Sequence, residues 1–236
     1  APVLALVGGL LTKVAAYGLL RLLGDVFVAT PAIMLEALGW LALVTMLSGV
    51  LGAAYHWDVR RILAFHIVSQ IGYLLLGIAL ATPAAAAATV YFLFHNILVK
   101  ANLFLIAGLM FATAGHYDLR RIGGLYPARP LLALLFLLSA FSLVGVPPTT
   151  GFWGKFMLLR EAFEQGRYLW GGTALAVGLL TLYSMSKIWL EGFWKPQPYD
   201  RPAEPTLAAR PSAAYGAVVL LSLIILAMGV FPEPVI

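Results

Sequence analysis

Phe94-His95-Asn96-Ile97-Leu98-Val99-Lys100 stands in the middle of an apolar run that extends from Ala84 to Ala112. A run of that length crosses a bilayer as a helix, yet its centre carries an imidazole, a carboxamide and an ammonium within two turns. Lys13 is placed the same way within Val3–Leu23, and Lys155 within Leu131–Phe163. A lysine at mid-membrane opposes insertion by about 2.5–3.5 kcal/mol, so three of them oppose it by about 8–10 kcal/mol. Charges kept inside spans against such a cost mark an ion or proton path.

The rest of the chain has the composition of the membrane. Of 236 residues, 62% are hydrophobic and 11% charged, where a soluble domain carries about 25% charged residues. The fold class is therefore an all-α, polytopic membrane helix bundle. There is no cysteine, which excludes disulfides and thiol chemistry. His56, His66, His95 and His116 show no ligand-like spacing with carboxylates, so neither a metal nor another cofactor is expected. The net charge of +5 does not indicate nucleic acid, because the basic residues gather at span ends. The expected surroundings are a lipid bilayer.

Seven spans are predicted within one transmembrane domain over residues 1–236. They cover about Val3–Leu23, Ala32–Tyr55, Ile62–Ala81, Ala84–Ala112, Leu131–Phe163, Tyr168–Trp194 and Ala213–Phe231. The fourth and fifth are too long for a straight crossing and should tilt or break. The fifth carries an evident break at Gly145-Val146-Pro147-Pro148-Thr149-Thr150-Gly151, because two prolines remove two backbone donors. Irregular backbone at membrane depth survives where it is buried or lines a wet cavity. A weaker interruption is expected in the fourth span. No signal-peptide pattern is present. The opening Ala1-Pro2 and the ending Pro234-Val235-Ile236 suggest a piece of a longer protein.

One side carries Arg60, Arg61, Arg120, Arg121, Arg129, Lys195, Arg201 and Arg210, and the other Arg21, Arg160 and Arg167. The basic bias puts the first side in the cytoplasm and the C-terminus outside a plasma (inner) membrane. The proline-rich stretch Lys195–Arg210 reads as an extended cytoplasmic connector.

Several polar residues invite chemistry. Lys13 is too deep to snorkel, and two readings are open: a structural lysine paired with a carboxylate elsewhere, or a group that gains and loses a proton. Tyr91, His95 and Asn102 share one helical stripe, with Asn96 and Lys100 on the next. His95 is open as a packing group or as part of a relay with Lys100. His66, Ser69, Gln70 and Tyr73 form one polar face of the third span, either as interhelical glue or as path lining. Lys155 follows the restart of the broken helix. Tyr17, Asn96 and Thr150 are candidates to solvate a charge on the nearby lysines. Lys187 and Glu191, four residues apart, read as an ion pair near the cytoplasmic end, and Glu36 as interfacial.

Asp58-Val59-Arg60-Arg61-Ile62-Leu63-Ala64-Phe65, followed by Ser69-Gln70-Ile71-Gly72-Tyr73, resembles the signature of antiporter-like membrane subunits. These occur in respiratory complex I, membrane-bound hydrogenases and Mrp-type cation/proton antiporters. Gly8-Gly9-Leu10-Leu11-Thr12-Lys13 and Gly151-Phe152-Trp153-Gly154-Lys155 fit the same pattern. His66 before Ser69-Gln70, Leu98-Val99-Lys100 and Leu143-Val144-Gly145-Val146-Pro147-Pro148 look most like the Mrp D subunit. The resemblance implies spans eight to fourteen of a fourteen-span subunit, holding its second inverted repeat. It implies Lys13 as a central bridging lysine, Lys100 as the inner lysine of a half-channel and Lys155 as the terminal one. Asn96 occupies the register of the family's histidine, and His95 precedes it by one. The first half-channel lies outside this sequence, so the segment alone is not expected to transport.

The function implied is that of a transporter subunit and not an enzyme. It would conduct protons through Lys13, Lys100 and Lys155, with His66, His95 and Asn96 as relay or lining and Pro147 and Pro148 as the helix break. Its partners would be the other subunits of a multi-subunit Na+/H+ antiporter, with protons and Na+ as cargo. The alternative is a proton-pumping subunit of a complex I-type NADH:quinone oxidoreductase or a membrane-bound hydrogenase. A third reading is a structural scaffold with a degenerate channel, against which the three lysines argue.

Overall fold

The structure is a computed structural model that describes residues 9, 10, 12–26, 31–197 and 212–232. Among them the chain is all-helical. Its helices are α1 (Thr12–Arg21), α2 (Ala32–Tyr55), α3 (Val59–Leu80), α4 (Pro83–Ala114), the single turn α5 (Leu125–Ala128), α6 (Pro130–Val144), α7 (Thr150–Glu164), α8 (Tyr168–Ile188) and α9 (Ser212–Val230). π-helical stretches continue α1 over Leu22–Val26 and α8 over Trp189–Trp194. Helices α2, α3, α4, α8 with its π-helical continuation, and α9 from Ala213 are long and apolar enough to cross a membrane; α6 is apolar but shorter. Residues 3–8 and 11 of the expected first span, and 198–210 of the expected connector, lie outside the described residues.

The helix starts follow from local chemistry. The Asp58 carboxylate accepts hydrogen bonds from the backbone N–H groups of Arg60 (2.9 Å) and Arg61 (3.4 Å) and so caps α3. Thr82 caps α4 through the Ala85 N–H (3.1 Å), and Pro83 takes the first helical position, where its missing N–H costs nothing. Once started, α4 runs unbroken for 32 residues. The interruption expected in this span is therefore absent. Length alone does not break a helix, and α4 has no proline after Pro83.

Two apolar clusters make up the interior. Val59, Leu63, Val99, Leu103, Phe136, Leu143, Met185 and Phe193 belong to the first. Met46, Tyr73, Leu74, Phe92, Leu158, Trp170 and Val177 belong to the second. Helices α3, α4 and α8 pass from one cluster to the other through buried polar side chains. On α3 these are His66, Ser69 and Gln70; on α4 His95 and Asn96; on α8 Thr181 and Ser184. Between α6 and α7 they are Ser142, Thr149, Thr150 and Lys155. A polar layer thus crosses the bundle between two apolar ones.

At the end of the bundle beyond the first cluster, two loops meet. Val59 N–H donates to the Tyr117 carbonyl (3.0 Å) and Leu119 N–H to the Trp57 carbonyl (2.9 Å), so Asp58 and Asp118 pair as an isolated antiparallel bridge. Asp118 is bonded by the Arg120 guanidinium as Asp58 is by that of Arg60, and the Arg60 guanidinium lies 4.0 Å above the Tyr117 ring.

Candidate functional site

Lys155 shows how the site is built. Helix α6 ends at Gly145, whose φ of 94° lies in the left-handed region that suits glycine. In a continuing helix the carbonyls of Leu143 and Val144 would accept from residues four further on. Those residues are Pro147 and Pro148, which have no N–H. The Lys155 ammonium supplies the missing donors, at 2.9 Å to the Leu143 oxygen and 2.7 Å to the Val144 oxygen. The Tyr73 ring centroid lies 5.1 Å from the same Nζ. Helix α6 stops at Val144 and α7 starts at Thr150, so the chain is interrupted around Pro147-Pro148. The prolines themselves are exposed, so the polar surroundings come from the residues on either side of them.

His95 faces the restart of α7. Its Nδ1 lies 2.7 Å from Thr150 Oγ1, and Ser142 Oγ lies 3.0 Å from that hydroxyl and 3.5 Å from the same ring nitrogen. Thr150 thus serves His95 and not Lys155, contrary to the sequence reading. Close approach is possible because residue 151 is glycine: a Cβ there would run into the Ser142 carbonyl oxygen and fall 2.9 Å from His95 Cε1.

Lys100 is fully buried, and its Nζ has no hydrogen-bond partner among the described residues. It lies within electrostatic range of both Lys13 and Lys155. Lys13 is 2% exposed and donates to Thr12 Oγ1 at 3.0 Å. Gly9, ahead of α1, packs against the turns around Lys100: a Cβ there would lie 3.2 Å from the Ile97 carbonyl oxygen and 3.5 Å from Ala101 Cβ. Tyr17 is about half exposed. His66 Nε2 meets Ser184 Oγ at 2.6 Å, and the Tyr73 hydroxyl donates to the Ala174 carbonyl at 2.5 Å. This polar face of α3 therefore bonds to α8 at both ends. Between them, Ser69 Oγ and both amide atoms of Gln70 are buried without partners among the described residues. So are His66 Nδ1, His95 Nε2 and Asn96 Oδ1, while Asn96 Nδ2 donates to the Phe92 carbonyl at 2.8 Å.

Lys187 departs from expectation. It does not pair with Glu191, which instead bonds Lys195 at 3.1 Å. Lys187 Nζ donates to the carbonyls of Ala54 and His56, each at 2.6 Å, at the end of α2. The two carbonyls at the end of α2 occupy the Lys187 ammonium, and Glu191 forms its i, i+4 pair with Lys195 instead. The expected interfacial Glu36 is bonded by the Arg167 guanidinium at 2.6 Å.

Sequence reasoning missed Ser142 and Ser184, because an isolated serine in an apolar helix gives no signal until its neighbour is known. It also missed a repeat that was visible. His56-Trp57-Asp58-Val59-Arg60-Arg61-Ile62 and His116-Tyr117-Asp118-Leu119-Arg120-Arg121-Ile122 share five of seven residues, and they are the two loops that pair.

A helical membrane protein with a lysine-bearing polar layer and a carbonyl-bound lysine at a broken helix is the class these features define. The chain belongs to the family described as "NADH:quinone oxidoreductase/Mrp antiporter, TM", whose model matches residues 1–182. It is 45% identical over 197 residues to the D subunit of the Na(+)/H(+) antiporter of Alkalihalophilus pseudofirmus, a match covering 84% of this chain and 40% of that protein. It is 36% identical over 209 residues to the D subunit of the Bacillus subtilis Na(+)/H(+) antiporter, covering 86% of this chain and 42% of the relative. Among solved structures, a chain of the Mrp complex from Dietzia sp. DQ12-45-1b superposes with a TM-score of 0.86 at 32% identity, over 98% of this chain and 50% of that one. A chain of respiratory complex I from Thermus thermophilus with bound NADH gives 0.80 at 26% identity, over 96% and 48%. The chain spans about two fifths of the length of the curated relatives it matches. The family read from the motifs is the family found, and its membrane location follows.

Proposed function

We propose that this chain is the proton-conducting part of a D-type subunit in a multi-subunit Mrp-type Na+/H+ antiporter. It acts as a transporter component and not as an enzyme. Protons pass along Lys13, Lys100 and Lys155, with His66, His95 and Asn96 and held water between them. The observation that carries this reading is Lys100: a fully buried amine without a protein partner among the described residues, within electrostatic range of Lys13 and Lys155. A buried polar atom left unsatisfied costs about 1–3 kcal/mol, so a layer containing several such atoms favours water. Adjacent buried cations repel, so charging one lysine favours deprotonation of the next, which moves a proton sideways without a redox group.

The whole chain forms one transmembrane domain of seven spans in this reading, α6 and α7 being the halves of the broken one. The end bearing the paired Asp-x-Arg-Arg loops faces the cytoplasm, with the C-terminus outside. Other antiporter subunits are its partners, and Na+ is the counter-ion. The similarity to the complex I chain favours as second reading a redox-driven complex with the same proton path. In the intact assembly, Lys13→Ala is expected to abolish cation-coupled proton movement in everted vesicles while assembly persists. Full antiport by a well-assembled Lys13→Ala complex would remove Lys13 from the path.

A further inference from the structure

Lys187 has no part in the lysine line described above, and no carboxylate among the described residues pairs with it. Its side chain is 9% exposed. Its ammonium is held between the Ala54 and His56 carbonyls, 5.2 Å from the Trp57 ring centroid. That places it at the end of the bundle where the two arginine loops pair. One helical turn before it on α8 is Ser184, fully buried, whose hydroxyl touches His66 Nε2 and also donates to the Thr181 carbonyl at 3.0 Å. His66 lies within electrostatic range of Lys100, Lys155 and Lys187. Its other ring nitrogen is unpartnered among the described residues, as are Ser69 and Gln70 one turn along α3. A polar seam between α3 and α8 therefore leads from the arginine-bearing end of the bundle into the buried layer.

We propose that Lys187 and Ser184 form a proton-uptake branch that joins this end of the bundle to His66 and, through it, to Lys100. The proposal rests on the proton-conducting reading. The Lys187 ammonium gives up one proton, through intervening water, to the Ser184 oxygen. With His66 as its Nδ1–H tautomer, the serine turns its hydroxyl from the Thr181 carbonyl to the ring and passes that proton to His66 Nε2. The imidazolium then releases its Nδ1 proton toward Gln70 and Lys100, and transfer of the remaining Nε2 proton to Nδ1 through water restores the starting tautomer. The neutral Lys187 amine takes its next proton from water at the arginine-bearing end. One proton enters the layer per cycle, with no change of redox state.

A purely structural role is the competing account, because Lys187 also satisfies two carbonyls at the end of a helix. Arginine separates the two roles, since it keeps the charge and the donors but does not give up its proton. In everted vesicles carrying the intact assembly, Lys187→Arg is expected to assemble normally and to lose cation-coupled proton movement by at least about tenfold, in line with the loss of a positioned proton-transfer group. Ser184→Ala is expected to slow it, and Ser184→Thr, which keeps the hydroxyl, to restore it. Full activity of Lys187→Arg beside an inactive Lys155→Arg would overturn the branch and leave the lysine path standing. Full activity of both would overturn the path as well. Should Lys187→Arg fail to assemble, the serine pair decides: equal, full activity of Ser184→Ala and Ser184→Thr refutes the branch.

Discussion

Lys155 and Gly145 depend on each other. A Cβ at residue 145 would lie 3.0 Å from Lys155 Cδ, and it would also be forced into the left-handed region at a cost of about 1–2 kcal/mol. Gly145→Ala is therefore expected to lower the thermal stability of the assembly by about that amount and to weaken transport by crowding the lysine stem. Unchanged melting and unchanged flux would show that the α6 end tolerates a side chain. At Asp58 the cap outweighs the exposed ion pair, because an N-cap is worth about 1 kcal/mol and a surface pair between nothing and about that. Asp58→Ala should thus destabilise α3 measurably while Asp58→Asn, which still caps, costs little; equal melting of the two variants would make the ion pair the stronger element. The buried lysines and histidines were legible in the sequence because polar groups stand out inside apolar runs. Their partners were not, since Ser142, Ser184 and the carbonyls of Ala54 and His56 come from distant segments. Lys187 was misread for that reason.

The helix break and the paired loops are the elements that position the site. Replacing both Pro147 and Pro148 with alanine returns two N–H donors to the chain. The Leu143 and Val144 carbonyls then have backbone donors to compete with Lys155, and transport is expected to fall while assembly persists; full transport would mean that the carbonyl pair is not needed. In the loop pair, hydrogen bonding from Arg120 holds the Asp118 carboxyl below its usual range. A depressed carboxyl contributes stability above its unfolded value and loses it as pH falls through the folded one. The pair should therefore loosen only in acid, below about pH 4. Hydrogen exchange at the Val59 and Leu119 amides follows this, and Asp118→Asn should abolish the acid step; its persistence would assign the step to another carboxylate. The break was legible because two prolines after a glycine stop a helix by sterics alone. The unbroken α4 and the π-helical turns were not, because span length does not determine where backbone register changes.

For the whole molecule, the arrangement of layers connects stability with function. Two apolar clusters hold α3, α4, α6, α7 and α8 together from both ends, and the polar groups between them need not supply that stability. The layer can then keep buried donors and acceptors unsatisfied by protein and use water in their place. The central claim is that protons cross this layer through its lysines, and Lys100 is the member with no other evident task. The decisive measurement is cation-driven proton flux in vesicles reconstituted with the intact assembly carrying Lys100→Ala, with assembly verified on the same sample. Flux at background level with normal assembly is the predicted result. Flux equal to that of the unaltered complex would contradict it.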